Sequence, residues 1–277
     1  MLIVLIVLIA LILLAALYLF AIAPGHRDID AEPLKNRDYA HRGLWNDERP
    51  ENSLAAFAAA RDAGYGIELD VHLTADGCLV VHHDDSLKRM CGKDIKIGSS
   101  TREEVCACRL KDTDEHVPTF DEVLEVVGGR IPMIVELKTE KNVAALCKAV
   151  HERMRRYDGA WCMESFDPRA VMWFRKHAGE IIRGQLANGG SILKARHGRR
   201  RDIFVLKSQL GNALGRPDFI AYQAATDNNL PMKLVRRMRP LLVCWTIRSQ
   251  EMMDKQRDRY DIQIFEGFIP REPSPRG

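Results

Sequence analysis

The chain has 277 residues, 46% of them hydrophobic and 29% charged, enough for one large α/β domain beyond an apolar opening segment. Its 41 Lys and Arg against 38 Asp and Glu leave a formal charge of only +3, so no bulk field draws it to nucleic acid. Seven cysteines, an odd number, leave at least one thiol unpaired and argue for a reducing compartment over a disulfide-built fold.

Residues 1–24 contain no charged side chain and are dominated by Leu, Ile, Val and Ala. About 20 such residues cross the hydrocarbon core of a bilayer. A cleaved secretory signal would instead show a basic front and an apolar run of about 7–15 residues. An uncleaved transmembrane anchor over 1–24 is therefore expected. Arg27, Lys35 and Arg37 follow it and no Lys or Arg precedes it, so the positive-inside rule expects a single-pass cell-membrane protein with its folded part on the cytoplasmic side. Residues 25–37, polar and containing Pro33, read as a tether, and 38–277 as the folded domain.

The domain alternates strand-like and helix-like segments. A strand at 39–43 is followed by a helix at 52–63, with Asn52 or Ser53 able to cap its first turn. A strand at 67–73 leads through Asp76-Gly77, a hairpin turn signal, into a strand at 79–83. Residues 84–117 lose the regularity, hold one helix-like stretch at 101–110, and read as an insertion. Thr119 can cap a helix through Val127. Strands are expected at 131–138, 161–166, 181–186, 219–222, 242–247 and 262–265, and helices at 143–156, 169–177 and 251–260. Parallel neighbours need crossovers of helix size, so the alternation predicts a (β/α)8 TIM-type barrel, with a small insertion after the second strand, preceded by one transmembrane helix. An open doubly wound sheet is the runner-up, but no Gly-rich phosphate loop joins the first strand to its helix. The basic runs at 153–156 and 196–201 read as solvated helix ends, and Cys106 and Cys108 as free thiols.

The strand at 67–73 carries the chemistry. Ile67, Leu69, Val71 and Leu73 line one face while Glu68, Asp70 and His72 line the other. Two carboxylates one strand-step apart, roughly 7 Å, repel each other unless a cation or base lies between them. With His82 and His83 close by in sequence, this pattern points to a metal site. Period-2 alternation sends His82 and His83 to opposite faces, so one of them at most enters it.

His41-Arg42-Gly43, Pro50-Glu51-Asn52-Ser53, Glu68-x-Asp70, His83-Asp84-x-x-Leu87-x-Arg89, Pro118-Thr119 and Glu136-x-Lys138 occur in the order and approximate spacing of the glycerophosphodiester phosphodiesterase family, which the chain resembles. Weaker echoes stand at Ser165-Phe166 and Trp245-Thr246. The resemblance implies a barrel enzyme that hydrolyses glycerophosphodiesters to an alcohol and glycerol 3-phosphate. It implies Glu68, Asp70 and Glu136 as ligands of one divalent cation, Mg²⁺ or Ca²⁺, and His41 and His83 as the acid/base pair, the motif selecting His83 over His82. Arg42 and Lys138 then bind phosphate and Trp245 walls the alcohol moiety. His72 is placed to orient Asp70, and Asn52 reads as a helix cap before it reads as a site contact. Where the family commonly closes with Thr-Asp-x-Pro, this chain has Ile264-Phe265-Glu266-Gly267-Phe268, so Glu266 is a candidate replacement. The anchor would bring the site near membrane lipid, which admits lysophospholipid as a substrate. Two alternatives remain: a phospholipase-type enzyme that releases a cyclic phosphate, and a catalytically silent lipid-head-group binder.

Overall fold

The computed structural model describes residues 1–35, 37–139, 142–189 and 200–271. Nine strands form one sheet: β1 (Tyr39–His41), β2 (Gly66–Leu73), β3 (Leu79–Val81), β4 (Met133–Leu137), β5 (Trp161–Ser165), β6 (Arg183–Ala187), β7 (Phe219–Gln223), β8 (Leu241–Ile247) and β9 (Ile262–Phe265). All except β3 pair in parallel, and β1 pairs with both β2 and β9, which closes an eight-stranded barrel. β3 lies antiparallel on β2, as the hairpin signal predicts.

Alternation along the strands divides the hydrocarbon into two layers. Ile67, Leu69 and Val71 of β2, with Met133, Val135 and Leu137 of β4, face the helices and meet Phe57, Val123 and Leu146. Ile134, Cys162, Leu186, Phe219, Val243 and Ile264 fill the barrel interior. Helix starts follow local chemistry. Ser53 accepts from the backbone N–H of Ala56 and caps Leu54–Asp62, and Thr119 with Glu122 forms a reciprocal cap on Phe120–Val127. Asn52 is therefore not the cap; it precedes it, with φ at 58°.

The segment after β3 is an insertion with its own small core, in which Leu87, Met90, Ile97, Val105, Leu110 and Val117 surround Val80. The helix expected at 101–110 covers only Arg102–Cys106, opened by a Thr101–Glu104 capping box. The basic run at 153–156 sits at the end of Val143–Met154, with Arg153 paired to Asp121. Residues 196–199 of the second run lie outside the described residues. All seven cysteines are free.

Leu2–Ile22 is one helix of 21 residues with a mean hydropathy of 3.4, long and apolar enough to cross a membrane. Its side chains are exposed through Leu17, and Ile22 is buried against the barrel. The polar stretch that follows is firmly held. Arg27 donates to both carboxylate oxygens of Asp218, at 2.6 and 2.5 Å, and to the carbonyls of Gly179 and Ile181. Asp218 also accepts from the backbone N–H of Arg183 at 3.0 Å, just ahead of β6 and β7. Replacing Arg27 by Ala would leave a buried carboxylate short of its main counter-charge. Arg183 lies 3.6 Å away and Arg27 keeps some water contact, so the expected loss is ~2 kcal/mol. Arg27→Ala should lower the midpoint of thermal unfolding of the detergent-solubilised protein by several degrees, whereas Lys35→Ala, whose ion pair with Glu32 is exposed, should leave it unchanged.

Candidate active site

Strand register assembles the acids. Asp70 stands opposite Glu136, Glu136 opposite Glu164, and His41 opposite Glu68. Paired residues in a parallel sheet share a face, so all five side chains point into the barrel, toward the C-terminal ends of the strands. One oxygen from each of Glu68, Asp70 and Glu136 lies within 4.8 Å of the others, and all three residues are buried. At an effective dielectric of about 20, two unit charges about 5 Å apart repel by ~3 kcal/mol. Lys138, two residues beyond Glu136 on the same strand face, answers part of this, with Nζ 2.8 Å from Asp70 and 2.7 Å from Glu136.

The electrostatic result is asymmetric. Burial works against ionised Asp70, but Lys138, His83 and Arg42 outweigh it and hold its carboxyl well below the usual range. Burial, then the charges of Asp70, Glu136 and Glu164, push the Glu68 carboxyl well above its ordinary value. Glu136 is raised by burial despite Lys138. Glu164 is raised strongly by burial and by Glu136, and its Oε2 is buried with no hydrogen-bond partner among the described residues. The site is thus short of positive charge. An oxygen-only donor set of this kind suits a hard divalent cation, held by Glu68, Asp70 and Glu136.

Arg42 and Gly43 both adopt positive φ, 59° and 82°, and a Cβ on Gly43 would stand 2.8 Å from the Ala56 backbone. Only glycine lets the loop lie this close to the helix. The turn aims the Arg42 backbone N–H at the Glu68 carbonyl, 2.9 Å away. The Arg42 guanidinium contacts Glu51 at 2.8 Å and approaches Asp70 at 3.5 Å. Glu51 also takes Arg89 at 2.6 Å, and Arg89 takes Asp84 at 2.6 Å. Asn52, 1% exposed, donates to Asp70 at 2.9 Å, so the expectation of a cap gives way to a site contact. Asn52 and Lys138 are the groups seen orienting Asp70; His72 is buried on the same strand face, lining the adjacent cavities.

The two adjacent histidines part company. His83 lines the carboxylate cavity with His41, its Nδ1 2.8 Å from Asp84, and burial with the charge of Lys138 pushes its imidazole down to about 3. His82 is 1% exposed and turned to the Asp84 carbonyl at 2.9 Å. His41 is bonded through Nδ1 to Glu266, and its Nε2 lies 3.8 Å from Glu68. Burial and Arg42 lower His41 against the pull of Glu266. Burial works to raise Glu266, but the hydrogen bond and charge of His41, together with Arg248, outweigh it and hold the carboxyl at about 2. Trp245, edge-on to Phe166 at 5.6 Å, walls the same cavity of about 150 Å³. A larger cavity of about 730 Å³ opens beside it, sharing His83, Glu136 and Lys138 and extending to Asp85, Lys88 and Asp94 of the insertion.

The sequence motifs name Glu68, Asp70, Glu136, Lys138, His41, His83, Arg42 and Trp245; seven of the eight line the smaller cavity, and Asp70 lies behind it within reach of Lys138. They overlook Glu164 and the roles of Glu51 and Arg89. Glu164 carried the same signal as Glu68, an acid on the inner face of a strand between Cys162 and Phe166.

Comparison with known proteins agrees with the barrel fold. A sequence model described as "Glycerophosphoryl diester phosphodiesterase family" matches residues 41–262. Human "Lysophospholipase D GDPD1" is 32% identical over 136 residues, 44% of this chain and 42% of that protein. The glycerophosphodiester phosphodiesterase of Caldanaerobacter subterraneus subsp. tengcongensis is 37% identical over 114 residues, 38% of this chain and 46% of that protein. The matched part thus spans less than half the length of these relatives. Among solved structures, an Oleispira antarctica phosphodiesterase in complex with the product sn-glycerol-3-phosphate superposes with a TM-score of 0.67 at 21% identity, over 83% of this chain and 92% of that one. At that identity the likeness speaks for the fold. A glycerophosphodiester phosphodiesterase from Thermotoga maritima gives 0.62 at 25% identity, over 87% and 95%. By a match that takes in nearly the whole barrel, from His41 to Ile262, the chain belongs to the glycerophosphoryl diester phosphodiesterase family.

Proposed function

We propose that this chain is a metal-dependent phosphoric diester hydrolase that splits glycerophosphodiesters into an alcohol and glycerol 3-phosphate. The observation that carries the reading is the convergence of Glu68, Asp70 and Glu136 within 4.8 Å of one another, beside a cavity walled by both His41 and His83. These carboxylates would hold one Mg²⁺ or Ca²⁺ ion, which when bound neutralises phosphate oxygens and stabilises charge that builds in the transition state. Lys138 and the Arg42 guanidinium bind further phosphate oxygens, and Trp245 excludes water on the alcohol side.

His41 and His83 are the acid/base pair. Each imidazole is backed by a carboxylate, His41 by Glu266 and His83 by Asp84, so the imidazolium that forms on either ring during proton transfer is stabilised. Both rings are held largely neutral by burial, which suits a proton acceptor at neutral pH. Glu266 acts through His41 as a positioning residue.

Leu2–Ile22 serves as a single-pass anchor, with the barrel on the cytoplasmic side by the positions of Arg27, Lys35 and Arg37. The human relative named lysophospholipase D favours a second substrate reading, lysophospholipid.

Hydrolysis of glycerophosphocholine should stop in excess chelator and return with Mg²⁺ or Ca²⁺. Phosphorus NMR should show glycerol 3-phosphate as the end product; persistent cyclic phosphate would point to the phospholipase-type reaction, and tight binding without turnover under any divalent ion to a silent binder.

His83→Ala should lower kcat by about 10²–10⁴-fold, while His82→Ala should cost thermal stability and leave kcat near its original value. The reverse pattern would overturn the assignment of the two rings.

Glu266→Gln should lower kcat by about 10–100-fold with KM little changed, because the amide keeps the contact with His41 but not the charge that steadies the imidazolium. An unchanged kcat would remove Glu266 from the mechanism.

A further inference from the structure

The membrane helix and the catalytic cavity meet the barrel at opposite ends. Every group that grips the end of the helix or the segment after it lies at or before the start of a strand. Gly179 and Ile181 precede β6, and Arg216, Pro217 and Asp218 precede β7. Asn212 donates to the Ile22 carbonyl at 2.8 Å, and Arg216 donates to the carbonyls of Phe20 and Ala23 at 2.6 and 2.9 Å. The Arg216 guanidinium also lies 4.3 Å over the Phe20 ring, and Tyr18 donates to the Ser208 carbonyl at 3.0 Å. Pro217 accepts from the Gly25 backbone N–H at 2.8 Å, and Arg27 completes the clamp on Asp218. His41 and Glu136, by contrast, sit in the C-terminal halves of their parallel strands, and His83 lines the same cavity. An eight-residue strand such as β2, tilted as barrel strands are, separates the two ends by about 20 Å.

A bilayer that accepts Leu2–Ile22 must exclude the polar barrel, so its surface lies at the level of the last helical turn. Two features mark that level. Tyr18 and Phe20 sit where aromatic side chains favour the interface, with the Arg216 guanidinium beside them. Leu214, 46% exposed on the short helix that carries Asn212, offers hydrocarbon on the same side.

We propose that the clamp stands the barrel on the bilayer by the N-terminal ends of its strands, with the catalytic cavity opening to water on the far side. This placement rests on the reading of Leu2–Ile22 as a membrane anchor given under the proposed function.

The test uses the full chain in phosphatidylcholine nanodiscs containing a trace of lipid with a photoreactive head group. Cross-links are expected in peptides covering 18–27 and 208–217 and not in those covering 44–49, 84–96 and 266–269; cross-links concentrated in the second set would overturn the placement. A flexible Gly/Ser insertion of about twelve residues between Ala23 and Pro24 should free the barrel and bring cross-links into the second set as well, and a pattern unchanged by the insertion would remove the clamp from the placement. If glycerophosphocholine is not hydrolysed while the cross-links fall on the first set, the placement holds and the proposed catalytic reading fails.

Discussion

Repulsion among acids buried inside the barrel is the constraint around which this molecule is organised. Asp70, Glu136 and Glu164 lie side by side across three neighbouring strands, with Glu68 one step below. Lys138 neutralises only the two carboxylates that it touches. Glu68 has His41 at 3.8 Å as its nearest basic side chain, and burial leaves its charge unfavourable. A barrel with hydrocarbon at these positions would be easier to stabilise. The acids make sense as a cation site whose binding energy relieves the repulsion, so that folding in the presence of the ion is linked to its affinity.

Around this centre, the loops at the strand ends form a continuous chain of ion pairs that ends in a hydrogen bond to His83. Arg42 meets Glu51, Glu51 meets Arg89, Arg89 meets Asp84, and Asp84 meets His83. The chain joins the first strand-to-helix loop to the insertion. Leu87, between Asp84 and Arg89, is fully buried in the insertion's own core. The insertion therefore positions His83 as well as lining the larger cavity. Its hydrocarbon holds the loop from below while the ion pairs fix it laterally, which limits the movement of an imidazole that must stay close to the carboxylates.

Much of this was legible because the strong signals were local. Acids on the inner face of β2 break the expected hydrocarbon alternation, and the strand-helix rhythm leads to a barrel by simple connectivity. What escaped needed three-dimensional information. Asn52 has the composition of a cap, but Ser53 takes that role and frees the Asn52 amide to reach Asp70, 18 residues away in sequence. Glu266 looked like a departure from the family's usual last strand; only closure of β9 onto β1 brings it to His41. The stretch at 25–37 has the polarity of a tether, yet one long-range partner, Asp218, turns Arg27 into a fastening that composition could not reveal. Helix ends were overestimated at 101–110 because the turns after Cys106 share its polarity.

Fastening and chemistry occupy opposite ends of the barrel, and the physical reason lies in the backbone. The C-terminal ends of parallel strands carry long loops such as that of Arg42 and Glu51, whose side chains are free to change without disturbing strand pairing. The opposite end has short connections ahead of β6 and β7, whose exposed carbonyls at Gly179 and Ile181 provide acceptors for a guanidinium. Arg27 satisfies those carbonyls and the buried Asp218 at once. The side chains that hold the helix share no residue with the carboxylate cavity, and the sheet between the two ends is closed and densely packed. A rigid barrel thus keeps the apolar helix apart from the carboxylates, whose charge burial already disfavours and a hydrocarbon neighbour would disfavour further.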